Sequence, residues 1–106
     1  MRAGTLRHRL TFLRPSEGQP DEYNVLQYDY EPDFQLWGEV NDLYGNEAVR
    51  AKQIAAEASV SVTVRARDGI TQLHRIEFGE REFEIVNISD AEGRDRELLI
   101  LCKEDV

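Results

Sequence analysis

The sequence contains few of the residues on which most enzyme chemistry depends. Its 106 residues include one cysteine, one tryptophan and two histidines. A single cysteine excludes an intramolecular disulfide, and neither histidine lies in a Cys/His cluster with zinc-ligand spacing. The chain also lacks the G-x-S-x-G, G-x-x-x-x-G-K and C-x-x-C patterns that mark nucleophile, phosphate-binding and redox sites. We therefore expect a protein without catalytic activity, bound metal or cofactor.

Long apolar runs are missing as well. No segment approaches the ~18 apolar residues that span a bilayer, and residues 1–20 hold no apolar stretch typical of a signal peptide. Apolar residues make up 41% of the chain and charged residues 32%, as in an ordinary globular protein. The length suits a single domain over residues 1–106, too small for a large active-site cleft. We expect a soluble cytoplasmic protein with neither a membrane partner nor a small-molecule substrate.

The charges are divided unevenly along the chain. A net charge of −8 opposes a surface that grips nucleic-acid phosphates. Residues 1–15 contain four arginines and no acid, whereas residues 16–49 contain nine acids and no lysine or arginine. Two interpretations remain open. The charged segments are either solvated loops that keep the protein soluble or complementary surfaces on neighbouring copies in an assembly.

The first third of the chain predicts two strands separated by a long acidic loop. Apolar and polar residues alternate over residues 6–12, as a half-buried strand requires. Residues 15–33 hold all three prolines and six acids, so we predict a mobile loop there, with an aromatic content that would suit a partner. Strand character resumes over residues 34–40. Trp37 is assigned to the core because the single tryptophan of a small β domain is usually a large packing unit.

A helix is predicted over residues 46–58. Asn46 can act as an N-cap, Glu47 favours the positive end of the helix dipole, and the segment contains neither glycine nor proline. Its four alanines fall on one face at helical spacing, at positions 48, 51, 55 and 58. Alanine buries only a methyl group, so the helix would dock weakly and could rearrange between contexts.

The second half of the chain predicts an antiparallel meander. The strands cover residues 59–67, 73–78, 83–88 and 97–103, with turns at Asp68-Gly69, near Gly79 and over residues 89–95. The last strand is apolar on both faces, which makes Cys102 a small buried hydrophobe. Glu80, Glu82 and Glu84 could be imagined as catalytic carboxylates, but alternating acids beside a turn favour a solvated strand face. About six strands and one helix between the Trp37 and Val60 strands predict a small antiparallel β-barrel.

Several short motifs, taken in order, resemble one protein family. They are Met1-Arg2-Ala3-Gly4-Thr5-Leu6-Arg7-His8-Arg9-Leu10, Arg14-Pro15, Trp37-Gly38-Glu39-Val40, Leu43-x-Gly45-x-Glu47 with Ala51 and Gln53, Val64-Arg65-x-Arg67-x-Gly69-Ile70, Arg75-Ile76, Phe83-x-Ile85, Glu97-Leu98 and Cys102. Over nearly the whole chain they resemble the phage head-tail joining proteins, also called head-closure or stopper proteins. Two positions depart from the family pattern: Asn24 replaces a frequent glycine and Asn46 a frequent arginine.

The resemblance implies a structural subunit of the head-tail connector in a phage or prophage virion, with a stage in the host cytoplasm before assembly. It implies a homo-oligomeric ring, twelve-fold, beneath the portal and adaptor proteins. That ring would close the capsid, retain packaged double-stranded DNA in transient contact and present a surface to a tail protein.

Candidate residues follow from the charge division and from the resemblance. A ring needs two different patches on each subunit, for which the candidates are Arg2, Arg7, Arg9, Asp21, Glu22, Asp29 and Asp33. In relatives the connection after the tryptophan strand extends into the channel as a gate. Here it maps onto residues 43–58, with the candidates Leu43, Gly45, Glu47, Arg50, Gln53 and Ala58. In an isolated subunit the same segment would be a helix docked on the barrel.

A second function from another class stays open at this point. Small five-stranded barrels often bind single-stranded nucleic acid through aromatic and basic side chains on an exposed sheet. Arg65, Arg67 and Arg75 could serve such a surface. The strands show no paired exposed aromatics, however, and the net charge of −8 opposes this function.

Overall fold

The computed structural model describes residues 7–16, 29–91 and 97–105. Within these ranges the chain forms six strands and one helix between the second and third strands, which confirms the predicted fold class. The elements are β1 (His8–Ser16), β2 (Asp29–Asp42), α1 (Gly45–Ile54), β3 (Val60–Arg65), β4 (Arg75–Phe78), β5 (Arg81–Ala91) and β6 (Glu97–Asp105). The strands pair antiparallel and close into one barrel in the order β1-β2-β3-β6-β5-β4. Among the described residues, no helix is both long and apolar enough to cross a membrane.

The barrel interior is filled by side chains from alternating strand positions. In β3, Val60, Val62 and Val64 are buried, as the period of two predicts. Phe12 of β1 stacks on Phe34 of β2, with ring centroids 5.0 Å apart. The other buried residues of this core are Leu10, Ile76, Phe83, Ile85, Leu98, Ile100 and Cys102. A small barrel packed in this way is a solid body.

Strand β6 is apolar on both faces, as predicted. Its inward face contributes Cys102, which is fully buried, and burial raises the pKa of this thiol from 9.0 to about 12. A thiol with so high a pKa is unreactive at neutral pH. On the outward face, Leu101 packs with Ala51 and Ala58 in a second, smaller cluster. This outer cluster attaches α1 to the barrel.

The helix is shorter than predicted and begins earlier. Tyr44 is the N-cap residue and makes no side-chain capping bond, so the prediction that Asn46 caps the helix was wrong. Gly45, with φ of 54°, turns the chain into the helix one residue ahead of Asn46. At the other end, Ala55 has an extended backbone, and its N–H donates to the Ala51 carbonyl at 2.8 Å. The chain must leave the helix there to reach β3.

The ends of the predicted loop over residues 15–33 are strands instead. β1 continues to Ser16 and β2 begins at Asp29, and the two pair as a ribbon with Pro15 opposite Tyr30. Two prolines fit because each strand of a two-stranded ribbon has an edge where no donor is needed. A β-bulge lies opposite the step from Phe12 to Leu13. The middle of the predicted loop, residues 17–28, lies outside the described residues.

The assignment of Trp37 to the core was wrong. Its side chain is 53% exposed, whereas the inward positions of β2 are held by Phe34, Leu36, Gly38 and Val40. Because side chains alternate between the two faces of a strand, Trp37 must point outward when its neighbours at 36 and 38 point inward. The largest side chain of the protein therefore belongs to the surface.

Two of the strands are shorter than the sequence predicts. β3 ends at Arg65, two residues before the predicted end, and the Arg67 guanidinium lies 4.0 Å from the centroid of the Phe34 ring. β4 begins at Arg75, two residues after the predicted start, because a turn precedes it in which the His74 N–H donates to the Thr71 carbonyl. Both changes belong to the connection that leads from β3 across to β4.

Candidate assembly surfaces

The outward face of β1 and β2 combines arginine with tryptophan. Arg9 and Trp37 are register partners, and the Arg9 guanidinium lies 5.2 Å from the centroid of the indole ring. Arg9 Nε also donates to Gln35 Oε1 at 3.1 Å, and Gln35 Nε2 donates to Thr11 Oγ1 at 3.2 Å. This network holds the arginine flat against the strand pair. We call Arg9, Thr11, Gln35 and Trp37 the Arg/Trp face.

The other arginines of the predicted basic start have different environments. Arg7 precedes β1 and is exposed, so it extends the Arg/Trp face at one end. Arg14 lies on the ribbon, where its guanidinium contacts Glu31 at 2.8 Å, an ion pair exposed to solvent. Arg2 lies outside the described residues. Arg7 and Arg9 are therefore the predicted cations that the structure leaves available on the barrel surface.

The outward face of β4, β5 and β6 is acidic. One line of register partners runs from Thr11 to Glu77, then to Glu82 and Asp105, so three carboxylates occupy neighbouring strands. Adjacent like charges are unfavourable unless a cation lies between them. Arg75 supplies that cation, since its guanidinium contacts both Asp105 and Glu82. Burial by itself lowers the pKa of Arg75, but the hydrogen bond to Asp105 and the charge of Glu82 raise it above its ordinary value.

Three further acids extend this face, of which Glu84 has the cations Arg75 and Lys103 as its register partners. Glu77, Glu80 and Glu84 are exposed, and within the described part of the chain they form no ion pair. The interpretation of Glu80, Glu82 and Glu84 as a solvated strand face agrees with their positions on the outside of β5 and its turn. We call Glu77, Glu80, Glu82, Glu84 and Asp105 the acidic face.

One end of the barrel is closed by a charged cluster. Arg81 at the start of β5 contacts Asp42 at the end of β2 at 2.7 Å and Glu104 near the end of β6 at 2.8 Å. The Arg81 hydrogen bond holds the pKa of Glu104 below its ordinary value, and both partners raise the pKa of Arg81. This cluster joins the ends of three strands that no short turn connects.

The predicted acidic candidates are only partly placed on a common surface. Asp21 and Glu22 lie outside the described residues, and Asp29 is exposed at the start of β2. Asp33 forms its contact within the subunit, since its Oδ2 accepts a hydrogen bond from His74 Nε2 at 2.8 Å. The Thr71 N–H donates to His74 Nδ1, so the ring proton is on Nε2. Asp33 thus fastens the connection between β3 and β4 to the β2 bulge.

The segment over residues 43–58 lies on the outside of the barrel. The Leu43 N–H donates to the Ser59 carbonyl at 3.1 Å, so both ends of the segment are anchored at one point. Between them, Gly45, Glu47, Arg50 and Gln53 are exposed, whereas Ala58 is fully buried. A groove of about 230 Å³ separates α1 from the sheet, lined by Leu43, Glu47, Arg50, Ala51, Ile54, Ser61, Leu99 and Leu101. Four of the six candidates therefore lie on α1, and Leu43 and Ala58 lie in the connections that attach the helix to the barrel.

A second concavity was not foreseen from the sequence. It has a volume of about 450 Å³ and lies at the base of the ribbon, lined by Pro15, Tyr30, Gln72, Leu73, His74, Arg75 and Glu84. Leu73 is 70% exposed beside it, and the Arg75 guanidinium lies 5.1 Å from the centroid of the Tyr30 ring. The aromatic content of the predicted loop was the available signal, but the ribbon that brings Tyr30 to this place was not predicted.

The basic residues considered for nucleic-acid binding are engaged elsewhere. Arg67 lies over Phe34, Arg75 is held by two carboxylates, and Arg65 also takes part in an interaction. Within the described ranges, no group of three or more His, Cys, Asp or Glu side chains could hold a metal ion. The surface chemistry of the described residues therefore consists of ion pairs, exposed charges and a few exposed apolar side chains.

Comparison with known proteins identifies the family. The family model of the phage head completion protein matches residues 1–105. The chain belongs to the phage head completion protein family. This family is a structural one and not a family of enzymes, so the protein has a structural role in the phage head and its place is the virion. The match confirms the resemblance to the phage head-tail joining proteins.

Two solved structures share the fold of this chain. The solution structure of protein SF1141 from Shigella flexneri 2a has a TM-score of 0.70 and 26% identity, covering 98% of this chain and 96% of that one. A chain in the virion of a native gene transfer agent particle has a TM-score of 0.62 and 16% identity, covering 94% and 96% of the two chains. At that identity the second likeness concerns the fold alone. A search of curated proteins finds no match.

Proposed function

We propose that this protein is a connector subunit that joins the portal and adaptor ring to the tail. The family match over residues 1–105 carries this proposal. In the assembled particle, copies of the chain form a ring, twelve-fold, that closes the capsid and retains the packaged DNA. The gene transfer agent structure in which a chain of this fold occurs is itself a virion, which agrees with a place in the particle.

The physical properties of the barrel support a mechanical task. A packed apolar interior and the Arg81 cluster at one end make a body that resists deformation. DNA under pressure pushes on whatever closes the channel, so a closing subunit must keep its shape. The net charge of −8 also suits a channel that passes DNA, because an acidic lining does not trap phosphates.

The segment over residues 43–58 is the part best suited to a gate. Its buried contact with the barrel is small and consists of Ala51, Ala58 and Leu101, with Leu43 and Ala55 partly buried beside them. Burial of an alanine methyl group contributes about 0.8 kcal/mol and burial of a leucine side chain about 1.5–3 kcal/mol, so the helix can leave the barrel at a cost of a few kcal/mol while the barrel stays closed. In the ring, this segment would face the channel and contact DNA transiently.

Electron microscopy of the particles tests the proposed function. We expect density for the barrel in a ring between portal and tail, in virions or in portal complexes mixed with the protein. We also expect that particles made without this chain have lost their DNA and lack tails. Density restricted to the tail tube or the capsid shell would remove the proposal, as would tailed, DNA-filled particles formed without the chain.

A further inference from the structure

The β1–β2 residues of the Arg/Trp face and the β5–β6 residues of the acidic face lie on opposite sides of the barrel, whereas Glu77 on β4 borders Thr11 on β1. In the closed order β1-β2-β3-β6-β5-β4, β2 and β5 are separated by three strands' spacing in either direction, and so are β1 and β6. Each of six strands occupies about 60° of the circumference, so β2 and β5 face opposite directions. Arg9 and Trp37 therefore point away from one side of the subunit, and Glu82, Glu84 and Asp105 from the other.

The Arg/Trp face has the composition of a contact surface. Tryptophan and arginine are the residues most enriched among those that dominate binding energy, and here they occupy one register pair. Trp37 is 53% exposed, so about half of its surface is left for a partner to cover. Gln35 and Thr11 hold the Arg9 side chain in place, which reduces the entropy lost when a partner binds.

The acidic face carries more negative charge than its own cations neutralise. Arg75 is bound to Glu82 and Asp105, and Arg81 is bound to Asp42 and Glu104. Exposed Glu77 and Glu80 form no ion pair within the described residues, and Glu84 forms none with its register partners Arg75 and Lys103, which pair with other carboxylates. A partner that brings an arginine to this face would relieve the repulsion.

We propose that neighbouring copies of the chain meet head to tail, with the Arg/Trp face of one copy on the acidic face of the next. This inference rests on the proposed function and names the contact that forms the ring. Arg9 pairs with the exposed carboxylate of Glu84 across the contact. Trp37 is covered by β5 of the neighbour.

A second copy fits better than any other occupant because each subunit presents both halves of the contact. A two-fold pairing of equal faces would place Arg9 against Arg9, or carboxylates against carboxylates, and would be repulsive. Nearly opposite faces suit a closed ring of many subunits, since a twelve-fold ring turns by only about 30° at each contact. Of the interface candidates from the sequence, Arg7 and Arg9 remain in the proposed contact. The acidic half of this contact is formed by β4–β6 and not by residues 16–49.

Charge exchange tests the contact in particles and in the purified full-length protein. Arg9→Glu and Glu84→Arg should each lower the yield of complete particles by about tenfold or more, with Trp37→Ala at least as severe. The double variant Arg9→Glu/Glu84→Arg restores an opposite-charge pair and should recover much of that yield. Asp68→Arg, a charge change of the same kind in the exposed connection between β3 and β4, is the matched control. Because Arg9 and Trp37 are exposed, the thermal unfolding of their variants should resemble that of the wild type. Glu84→Arg places an arginine between Arg75 and Lys103, so Glu84→Gln, which should also lower the yield, tests the pair without that repulsion.

Cross-linking tests the same contact without altering Arg9 or Trp37. Gln35→Cys and Glu80→Cys place one thiol on each face and leave the Arg9–Glu84 pair intact, while Cys102 is fully buried and contributes no background. Treatment of particles carrying both changes with a short bifunctional maleimide should give a ladder of multiples of 12.2 kDa. Asp68→Cys/Glu80→Cys is the control and should give none.

The two tests separate this contact from the proposed function. Wild-type protein absent from the junction between portal and tail would overturn the function and the contact together. A ring at that junction whose Gln35→Cys/Glu80→Cys form gives no ladder, or no more than the control, overturns the contact alone. A double charge variant no better than the worse of its single variants does the same.

Discussion

At the scale of single residues, Gly38 decides how three strands come together. It lies opposite His8 of β1 and also opposite Val64 of β3, at the point where β2 passes from one partner to the other. A Cβ atom at this position would lie 2.7 Å from Leu10 Cδ1 and 2.9 Å from the Thr63 carbonyl oxygen. Real Cβ atoms do not approach other atoms so closely. The three strands can therefore pack this closely only if residue 38 is a glycine.

Gly38→Ala should destabilise the protein by about 1–3 kcal/mol, the usual cost of overpacking. The free energy of unfolding, measured with urea, gives this number. Glu39→Ala, one residue away and on the outward side, is the control. In a Leu10→Val background, which removes the nearest atom, the cost of Gly38→Ala should be smaller. An unchanged midpoint in the wild-type background would show that the strands can move apart freely.

Gly38 also explains why the sequence misplaced Trp37. The inward positions of β2 are 34, 36, 38 and 40, and a glycine at the third contributes nothing to an apolar pattern. Because the glycine at that position gives no apolar signal, the tryptophan stands out as the largest side chain of the strand. The alternation over β3 was predicted correctly because valine occupies each of its inward positions, so the apolar pattern is complete.

At the scale of elements, the sequence predicted where each element exists better than where it ends. Residues that favour a helix continue past Ile54, but tertiary structure ends the helix there, because the Leu43–Ser59 hydrogen bond draws the two ends of the segment together. Similarly, Pro15 and Pro32 suggested a loop, yet both fit in a ribbon whose strands have free edges. Such boundaries depend on partners far away in the sequence, which local patterns do not specify.

The ion pairs of Arg81 should make stability sensitive to acid. Because the folded protein holds the pKa of Glu104 below its ordinary value of 4.5, this carboxylate stabilises the fold above that pH. The stabilisation is lost as the pH falls through the lowered pKa. Arg81→Gln removes the arginine that lowers the pKa of Glu104. The free energy of unfolding of this variant should therefore fall less steeply below about pH 4.5 than that of the wild type.

Denaturant unfolding of both proteins at several values between pH 6 and pH 3 measures this difference. Arg14→Gln, which removes the exposed Arg14–Glu31 pair of the ribbon, is the matched control. Parallel pH profiles for the wild type and Arg81→Gln would mean that the Arg81 cluster does not secure the end of the barrel.

At the scale of the whole molecule, closure of the barrel depends on its shortest seam. β1 and β4 share only three register pairs, from Thr11–Glu77 to Leu13–Arg75. The count and type of strands indicated a barrel, but the predicted meander of the second half was wrong, because β3 pairs with β2 and β6 and not with β4. Local sequence does not specify such pairings between distant segments. The uneven division of charge along the sequence suggested an assembly surface. The acidic face itself could not be predicted, because its residues come together only when three strands pair.

A closed barrel with one main core should unfold as one cooperative unit. Phe12→Ala, at the β1–β4 seam, should lower the free energy of unfolding by about 3–5 kcal/mol. Ile100→Ala, on β6 at the opposite side, should cost about 2–5 kcal/mol. In both variants circular dichroism and calorimetry should report the same transition, with equal van't Hoff and calorimetric enthalpies. A second transition in either variant would show that the seam opens independently of the rest.

The exposed position of Trp37 gives the protein a built-in optical signal. Because the chain has a single tryptophan, every change in its ultraviolet emission reports this one indole. Transfer of the indole from water to a dry environment shifts its emission to shorter wavelength. Any event that covers this side of the barrel can therefore be followed in real time on unlabelled protein.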